Sequence, residues 1–225
     1  MDAERVAAYL AETPLFAGLT AAELTTLAER MRMRHYARDE VIFHKDDPAA
    51  HLFVIAAGTV KISMPDEAGH EVVVALERGG DVFGHLALFD DAPRSATVTA
   101  INETVLLSLA RDDFLGVLER NPRAMRRMLG LLAKMVRRVS GRVEDLVFLD
   151  VPSRVAKCLL DLSEVAKGER RELSLTQEDL ASFVGATRVS VNRVLADLEH
   201  RGVITVGRRH VEITDAELLR KEIRY

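Results

Sequence analysis

The chain has 225 residues, 48% hydrophobic and 29% charged, with a formal net charge of −4. That length suits two small domains or one large one, and the charge excludes a nucleic-acid surface made by bulk electrostatics, so any such site must come from local placement of arginines. One cysteine, Cys158, excludes a disulfide framework and a four-cysteine iron–sulfur cluster within one chain; its setting in VAKCLLDL reads as a small buried residue.

The N-terminus, MDAERVAAYLAE, carries charges throughout and does not read as a signal peptide. No apolar run approaches the roughly 18 residues of a membrane span, so a cytoplasmic protein without a membrane partner is expected. A short N-terminal helix comes first. Thr20 and Glu23 then form a capping box that opens a helix running to about Met33. The pattern changes to period two. Val60, Ile62 and Met64 alternate with Lys61 and Ser63; Ala96, Val98 and Ala100 alternate with Ser95, Thr97 and Thr99; Val105, Leu107 and Leu109 follow. Turn signals fall at Asp46-Asp47-Pro48, Ala57-Gly58, Pro65 to Gly69, Gly79-Gly80 and Asp91 to Pro93. Short strands at this spacing predict a small barrel or sandwich.

Within this region, residues Phe83 to Ala100 read FGHLALFDDAPRSATVTA. A glycine turn leads into a short apolar helical turn, an acidic loop, and then Arg94-Ser95 at the start of an alternating strand. An arginine beside small residues and free backbone N–H groups is how a protein holds a phosphate inside a barrel. The stretch resembles the phosphate-binding cassette of cyclic-nucleotide-binding domains, with His85 where that cassette usually carries a glutamate. The plain structural alternative for Arg94 is an internal ion pair to Asp90 or Asp91.

One long helix follows. Asn121-Pro122 supplies an N-cap and a proline at the first helical position. Met125, Leu129, Leu132, Val136, Val139, Val143 and Leu146 are spaced alternately four and three apart. That heptad seam predicts a helix pair, parallel or antiparallel, joining two subunits. Met128, Leu131 and Met135 are expected to face the barrel, and Arg137, Arg138 and Arg142 to stay solvated. Asp150-Val151-Pro152 then reads as a hinge.

The run TQEDLASFVGATRVSVNRVLADLEHRG carries the second constellation. Thr176 can cap one helix with Asp179 as partner, Ala181 suits a close helix crossing, and Gly185 suits the tight turn. Thr187 can cap a second helix whose Val191, Val194, Leu195 and Leu198 face the core. Arg188, Val189, Asn192, Arg193 and Ala196 are left on the outer face. Arginine can bond guanine and asparagine adenine in the major groove. Thr176, Thr187, Ser190, Arg208 and Arg209 can anchor phosphates. A hairpin from Val203 to Val206 and Val211 to Ile213, turning at Gly207 to His210, completes a winged helix-turn-helix.

Taken whole, the chain resembles the cyclic-AMP receptor protein/FNR (CRP/FNR) family of bacterial transcription regulators. The pieces PLFAGLTAAEL, HLFVIAAGTVKI, FGHLALFDDAPRSATV, DLVFLDVPSRVA and QEDLASFVGATRVSVNRVLADLEHRGVI come in the family's order. The resemblance implies an α+β chain: an effector-binding β-roll (a double-stranded β-helix of the cyclic-nucleotide-binding type) at 1–120, a dimerisation helix at 121–149, and a winged helix-turn-helix DNA-binding domain at 150–225. It implies a homodimer on a near-palindromic operator in double-stranded DNA, contact with RNA polymerase, and allosteric control by cyclic AMP or another cyclic nucleotide.

The resemblance also assigns residues. Gly84, His85, Leu86, Ala87, Arg94, Ser95 and Ala96 form the effector cassette, with Arg94 and Ser95 on the cyclic phosphate. Ser140 matches a serine that contacts the nucleobase from the partner subunit, and Val139 stands where a threonine often bonds adenine; valine can only pack. His85 can accept one hydrogen bond when neutral, and its charged form would attract a further phosphate or carboxylate at lower pH. Losing a hydrogen bond made by a charged group costs about 1.5–3 kcal/mol, so the effector stays open between a cyclic nucleotide, another anionic or nucleotide-like ligand, and none. Arg188 and Arg193 match the family's guanine-reading arginines, whereas Val189 replaces a glutamate between them.

Two further readings compete. A haem sensor is a variation on this scaffold, and His85 lies in its neighbourhood, but the cysteine that can share such a site is missing. A small-barrel metalloenzyme is disfavoured because His35, His44, His51, His70 and His85 form no metal-ligand motif, and no catalytic or dinucleotide-binding arrangement is found. No metal site and no enzymatic activity are expected.

Overall fold

A computed structural model describes residues 2–65, 71–165, 172–173, 176–207 and 210–224. The expected turns at Pro65 to Gly69 and Gly207 to His210 therefore fall partly outside the described residues, as do His70, Arg208 and Arg209. The chain divides into two compact units, Met1–Met135 and Val136–Tyr225.

In the first unit, α1 (Ala3–Glu12) is capped by Asp2, whose Oδ1 accepts from the Arg5 N–H at 2.9 Å. The next helix, α2 (Ala21–Arg30), opens on the expected capping box: the Thr20 N–H donates to Glu23 Oε2 at 2.7 Å and the Glu23 N–H to Thr20 Oγ1 at 3.3 Å. It stops at Arg30 rather than Met33, because Arg32–Tyr36 is taken up as strand β1 against residues Thr104–Ala110. Strand pairing across the chain outweighs local helical preference here.

Eight strands follow in two antiparallel four-stranded sheets. The remaining strands are β2 (Val41–Phe43), β3 (His51–Ala57), β4 (Thr59–Pro65), β5 (Glu71–Arg78), β6 (Val82–Phe83), β7 (Thr97–Ala100) and β8 (Thr104–Ala110). One sheet has the order β1-β8-β3-β6 and the other β2-β7-β4-β5. Phe53, Ile55, Phe83 and Leu106 of the first sheet meet Val60 and Val98 of the second in one apolar cluster between the sheets. The opposite face of the first sheet, with Leu52, Val54, Leu107 and Leu109, packs on Leu10, Phe16, Leu27, Phe114 and Met128. This is the expected β-roll, its first sheet covered on both faces.

Double coverage explains where the period-two expectation fails. In β8, Leu106, Leu107, Ser108 and Leu109 are all buried, so the strand reads as a continuous run rather than an alternation. In β4 the alternation breaks at Ser63, which is fully buried while Met64 is exposed. The register shifts there: Ile62 pairs with Ala75 and Ser63 with Val73, leaving Val74 as the extra residue of a β-bulge.

The β3–β4 turn requires Gly58. Its φ is +91°, and a Cβ would lie 2.5 Å from the Glu103 carbonyl oxygen and 2.7 Å from Thr104 Cα. Backbone cannot move aside cheaply. Gly58→Ala is expected to cost at least about 2 kcal/mol of stability, measured by chemical denaturation.

After α3 (Arg111–Arg120), α4 runs from Pro122 to Phe148. Asn121 caps it, its Oδ1 accepting from the Arg123 and Ala124 N–H groups at 3.0 Å each. Ala124 and Met128 are buried on the roll side, and Leu131 and Leu132 pack partly against the same cluster. Leu132, a position of the heptad spacing, is thus half-buried against the roll. Met125, Leu129, Val136, Val139, Val143 and Leu146 remain exposed, Val136 at 65%.

In the second unit, α5 (Val151–Val165), α6 (Gln177–Val184), α7 (Arg188–His200) and α8 (Ala216–Lys221) surround one core. Strands β10 (Ile204–Gly207) and β11 (His210–Ile213) form the expected hairpin, and a third strand, β9 (Glu172–Leu173), pairs with β11. Nothing in the sequence marked β9, which is two residues long. Asp150 caps α5, accepting from the Ser153 N–H at 2.9 Å; the Ser153 side chain and, after it, that N–H hold its carboxyl below the usual carboxylate range. The buried Ser153 hydroxyl donates to the Glu222 carbonyl at 3.0 Å and accepts from the Arg224 N–H at 3.1 Å, tying the chain's end to the first turn of α5. Cys158 packs against the core, and burial pushes its thiol up to about 12. Arg142 is not solvated as expected: its guanidinium lies 5.4 Å from the centre of the Phe183 ring, and burial lowers its pKa.

Candidate functional site

Arg94 lies just before β7. Its backbone is pinned on both sides: its N–H donates to the Asp47 carbonyl at 2.9 Å, and its carbonyl accepts from the Asp46 N–H at 2.8 Å. The side chain runs inward and is only 4% exposed. Nη1 donates to the Gly84 carbonyl at 2.7 Å and Nη2 to the His51 carbonyl at 2.8 Å. The guanidinium sits 4.2 Å from the centre of the Phe43 ring and 5.7 Å from that of Phe53, within the range of cation–π attraction. Nε is buried without a partner.

Arg94 forms no ion pair among the described residues, so the internal salt bridge is corrected. Asp91 is taken by Arg111, whose guanidinium holds it below the usual carboxylate range. The Asp90 carboxylate accepts from the Ala92 N–H instead. Burial lowers the Arg94 guanidinium from its ordinary value, with Asp47 acting weakly in the other direction. A buried guanidinium held by two carbonyls has its geometry set and its charge unmatched. Such a group attracts an anion.

Gly84 makes the arrangement possible. Its φ is +76°, and a Cβ there would come within 2.7 Å of Arg94 Nη1. His85 and the single 3-10 turn Leu86–Leu88 follow. Ala87 and Ala96 are buried, Leu86 is half-buried and Ser95 is exposed. Of the expected cassette residues, Gly84 and Arg94 are brought into contact. Val139 and Ser140 are exposed on α4 in the second unit. Phe43, Phe53 and the His51 carbonyl were not legible as site groups; their contact with Arg94 bridges up to 51 positions of chain.

His85 behaves differently from the expectation. Its Nδ1 is buried without a partner, and burial lowers its pKa to about 4. It is neutral across the physiological range, so attraction of a further anion by its charged form is removed. The sign of the linkage follows. The unfolded imidazole takes up its proton near pH 6.5 and the folded one only near 4, so the associated stability is complete above about 6.5 and is lost as pH falls toward 4. Full loss amounts to about 3 kcal/mol. The acid limb of the melting-temperature profile is expected to be shallower in His85→Gln than in the wild type.

The helix pair in the second unit is built as its caps predict. Thr176 and Asp179 form a reciprocal capping box: Asp179 N–H donates to Thr176 Oγ1 at 3.0 Å, and the Thr176 N–H and hydroxyl donate to Asp179 Oδ2 at 3.1 and 2.6 Å. Gly185 closes α6 in the left-handed region, φ 62° and ψ 48°. Thr187 caps α7, its Oγ1 accepting from the Ser190 N–H at 3.2 Å and lying 3.0 Å from Ser190 Oγ. These three hydroxyls serve the caps as well as any phosphate. Val191, Leu195 and Leu198 are buried and Val194 packs beside them.

Arg188, Val189 and Arg193 stand on the exposed face of α7, Val189 at 80% exposure. No acidic residue lies in the helix's first turn, so its N-terminus presents the Arg188 guanidinium and the apolar tip of Val189 with a favourable field for phosphate, and Arg193 follows one turn on. Asn192 is half-buried, with Oδ1 enclosed and unpartnered, so it is turned further into the fold than the outer-face expectation had it. Glu178, which the sequence did not single out, reaches 3.9 Å from Arg188 Nε.

Among the described residues no group of three histidine, cysteine or acidic side chains is placed to hold a metal ion, and no helix is long and apolar enough to cross a membrane. Residues 33–121 match the family described as the cyclic nucleotide-binding domain, and residues 153–222 the Crp-like helix-turn-helix domain. The chain is 34% identical over 220 residues to the CRP-like cAMP-activated global transcriptional regulator of Mycobacterium tuberculosis, covering 96% of this chain and 98% of that one. It is 32% identical over 207 residues to the cyclic AMP receptor protein of Thermus thermophilus, covering 92% and 95%. Its fold is similar to that of FixK2 from Bradyrhizobium japonicum, with a TM-score of 0.78 at 21% identity over 87% of this chain and 98% of that one. A β-roll with a buried arginine bonded only to carbonyls, a capped helix-turn-helix with an arginine-bearing outer face, and relatives matched over nearly their full lengths lead to one assignment: the chain belongs to the CRP/FNR family of bacterial transcription regulators.

Proposed function

We propose that this regulator is switched by a cyclic nucleotide or a related phosphate-bearing effector bound at Arg94, and that it acts in the cytoplasm as a homodimer on a near-palindromic operator, in contact with RNA polymerase. The observation that carries the effector half is Arg94, a residue only 4% exposed whose guanidinium has no carboxylate partner among the described residues. A phosphate there supplies the missing charge and can displace or share the carbonyl bonds. The names of the Mycobacterium and Thermus relatives, cAMP-activated and cyclic AMP receptor, support the same reading.

The exposed stripe from Met125 to Leu146 carries the dimer half. Leu129, Val136, Val139, Val143 and Leu146 lie on one face of α4 at heptad spacing, each about half exposed or more. A second copy of the stripe is its natural cover. Ser140 offers a hydroxyl beside Val139, and the family resemblance assigns these two to the nucleobase. The effector shifts the orientation of the helix-turn-helix only as far as it binds one state more tightly than the other.

On DNA, Arg188 and Arg193 supply the guanine contacts and Val189 an apolar one, such as to a thymine methyl. Arg188→Ala is expected to weaken specific binding by about 1–3 kcal/mol, and an unbiased selection of binding sites should recover half-sites altered or relaxed at the base pair beneath Val189. Recovery of the family's usual half-site unchanged would remove Val189 as a specificity residue. Calorimetry with a panel of cyclic nucleotides, with and without operator, tests the whole reading; absence of any ligand that alters operator affinity would sink the effector half.

A further inference from the structure

Strand register places more cationic groups around the Arg94 pocket than a single cyclic phosphate needs. In the first sheet Arg32 pairs with Ser108, Ser108 with Phe53, and Phe53 with Phe83. Residues paired across a sheet share a face, and Phe53 and Phe83 face the cluster between the sheets. Arg34 lies on the next such rung, paired with Leu106, which also faces that cluster. Tyr36, two residues on, packs against it. Arg32 and Arg34 therefore rise from the inward face of the edge strand β1, on the wall against which Arg94 is held by the His51 carbonyl and stacked over Phe53.

Neighbouring strands are about 4.8 Å apart, so Arg32 stands about two strand spacings from Phe53, within the combined reach of two long side chains. The fields converge on His51, whose imidazole is held below its ordinary pKa first by burial and then by Arg34, Arg94 and Arg32. Arg32 and Arg34 are exposed and form no ion pair among the described residues. The one carboxylate acting on Arg94 is Asp47, and its Oδ2 already accepts from the His44 N–H at 2.8 Å. Inward-pointing charges can also guard an edge strand against aggregation. Either sign serves that purpose, whereas the arginines here share one sign with a buried cation that has no partner.

We propose that Arg32 and Arg34 form a second anion subsite beside Arg94, which takes the second phosphate of a ligand carrying two. The shared chemistry is a nucleotide with two separated phosphate groups, whether a cyclic dinucleotide or a linear nucleoside bisphosphate. This inference rests on Arg94 being the first phosphate contact. A single phosphate matches one cation and leaves the arginines of β1 solvated; a second draws them in.

The test is calorimetry on the full-length protein with cyclic AMP, a linear adenosine bisphosphate and two cyclic dinucleotides, using wild type, Arg94→Gln and the double variant Arg32→Gln/Arg34→Gln. Both β1 arginines are exposed, and a thermal melt confirms the variants' folding. At least one two-phosphate ligand is expected to bind wild type about tenfold or more tightly than cyclic AMP. The double variant should erase most of that advantage while cyclic AMP affinity stays within about twofold, because only the second phosphate meets the lost charges. If no two-phosphate ligand outbinds cyclic AMP, or the double variant weakens all ligands equally or none, the subsite is overturned. If Arg94→Gln binds every ligand as wild type does while the double variant still loses the preference, the Arg94 reading falls, and with it the pairing of two subsites, leaving an anion site at Arg32 and Arg34 alone. If wild type binds none of the four, both fall.

Discussion

Arg94→Ala should abolish the response of operator binding to effector while leaving weak basal binding to DNA. Removing one member of a buried charge pair costs about 3–5 kcal/mol, so effector affinity should fall at least about a hundredfold. The ligand-free protein should lose little. In that state Arg94 is a buried cation without an anion and with Nε unpartnered, and what the substitution removes is two hydrogen bonds to the Gly84 and His51 carbonyls. Those bonds and the cost of burying the charge work against each other. The variant should therefore melt close to wild type without ligand and show no ligand-induced rise in melting temperature. An effector shift of wild-type size in this variant would show that the ligand is held elsewhere.

The second large effect is expected from charging the α4 stripe. Val136 is 65% exposed and Val143 56%, so aspartates at both positions cost the isolated chain almost nothing. In a two-fold symmetric seam each substitution appears twice, and four carboxylates would be buried facing one another. The dimer should be weakened by several kcal/mol, raising its dissociation constant on the order of a thousandfold or more. Sedimentation should report monomers at concentrations where wild type is dimeric. Operator affinity should fall with it, because one helix-turn-helix reads only half of the proposed near-palindromic operator. A Val136→Asp/Val143→Asp protein that remained dimeric would place the subunit interface on another face.

Leu132 separates what periodicity shows from what packing decides. It fits the four-three spacing of the seam as well as Leu129 or Val136 does. Yet it sits where α4 still lies against the roll, and it is drawn into the cluster with Leu131 and Met128. A helix periodic in sequence serves two partners along its length, and the spacing alone does not say where one gives way to the other. Arg142 makes the same point for charge. By spacing it belongs with the solvated Arg137 and Arg138, but Phe183, 41 positions away in sequence, supplies a ring beneath it.

The sequence by itself determined the features that neighbouring residues create. The capping boxes at Thr20–Glu23 and Thr176–Asp179, the Asn121 cap, the left-handed Gly185 and the buried face of α7 depend on contacts within a turn or two of helix, and all are found where their residue types stand. Family order, read from such pieces, gave the fold and the kind of protein. Tertiary structure decided what depends on distant chain: the doubly covered β3 and β8, the bulge at Ser63, the strand β9, the unmatched charge of Arg94, and the neutrality of His85. Burial and counter-charge are set by whatever packs from elsewhere. The same cassette letters could have enclosed an ion pair; the fold instead turned Asp91 to Arg111 and left Arg94 over two phenylalanine rings, held only by carbonyls.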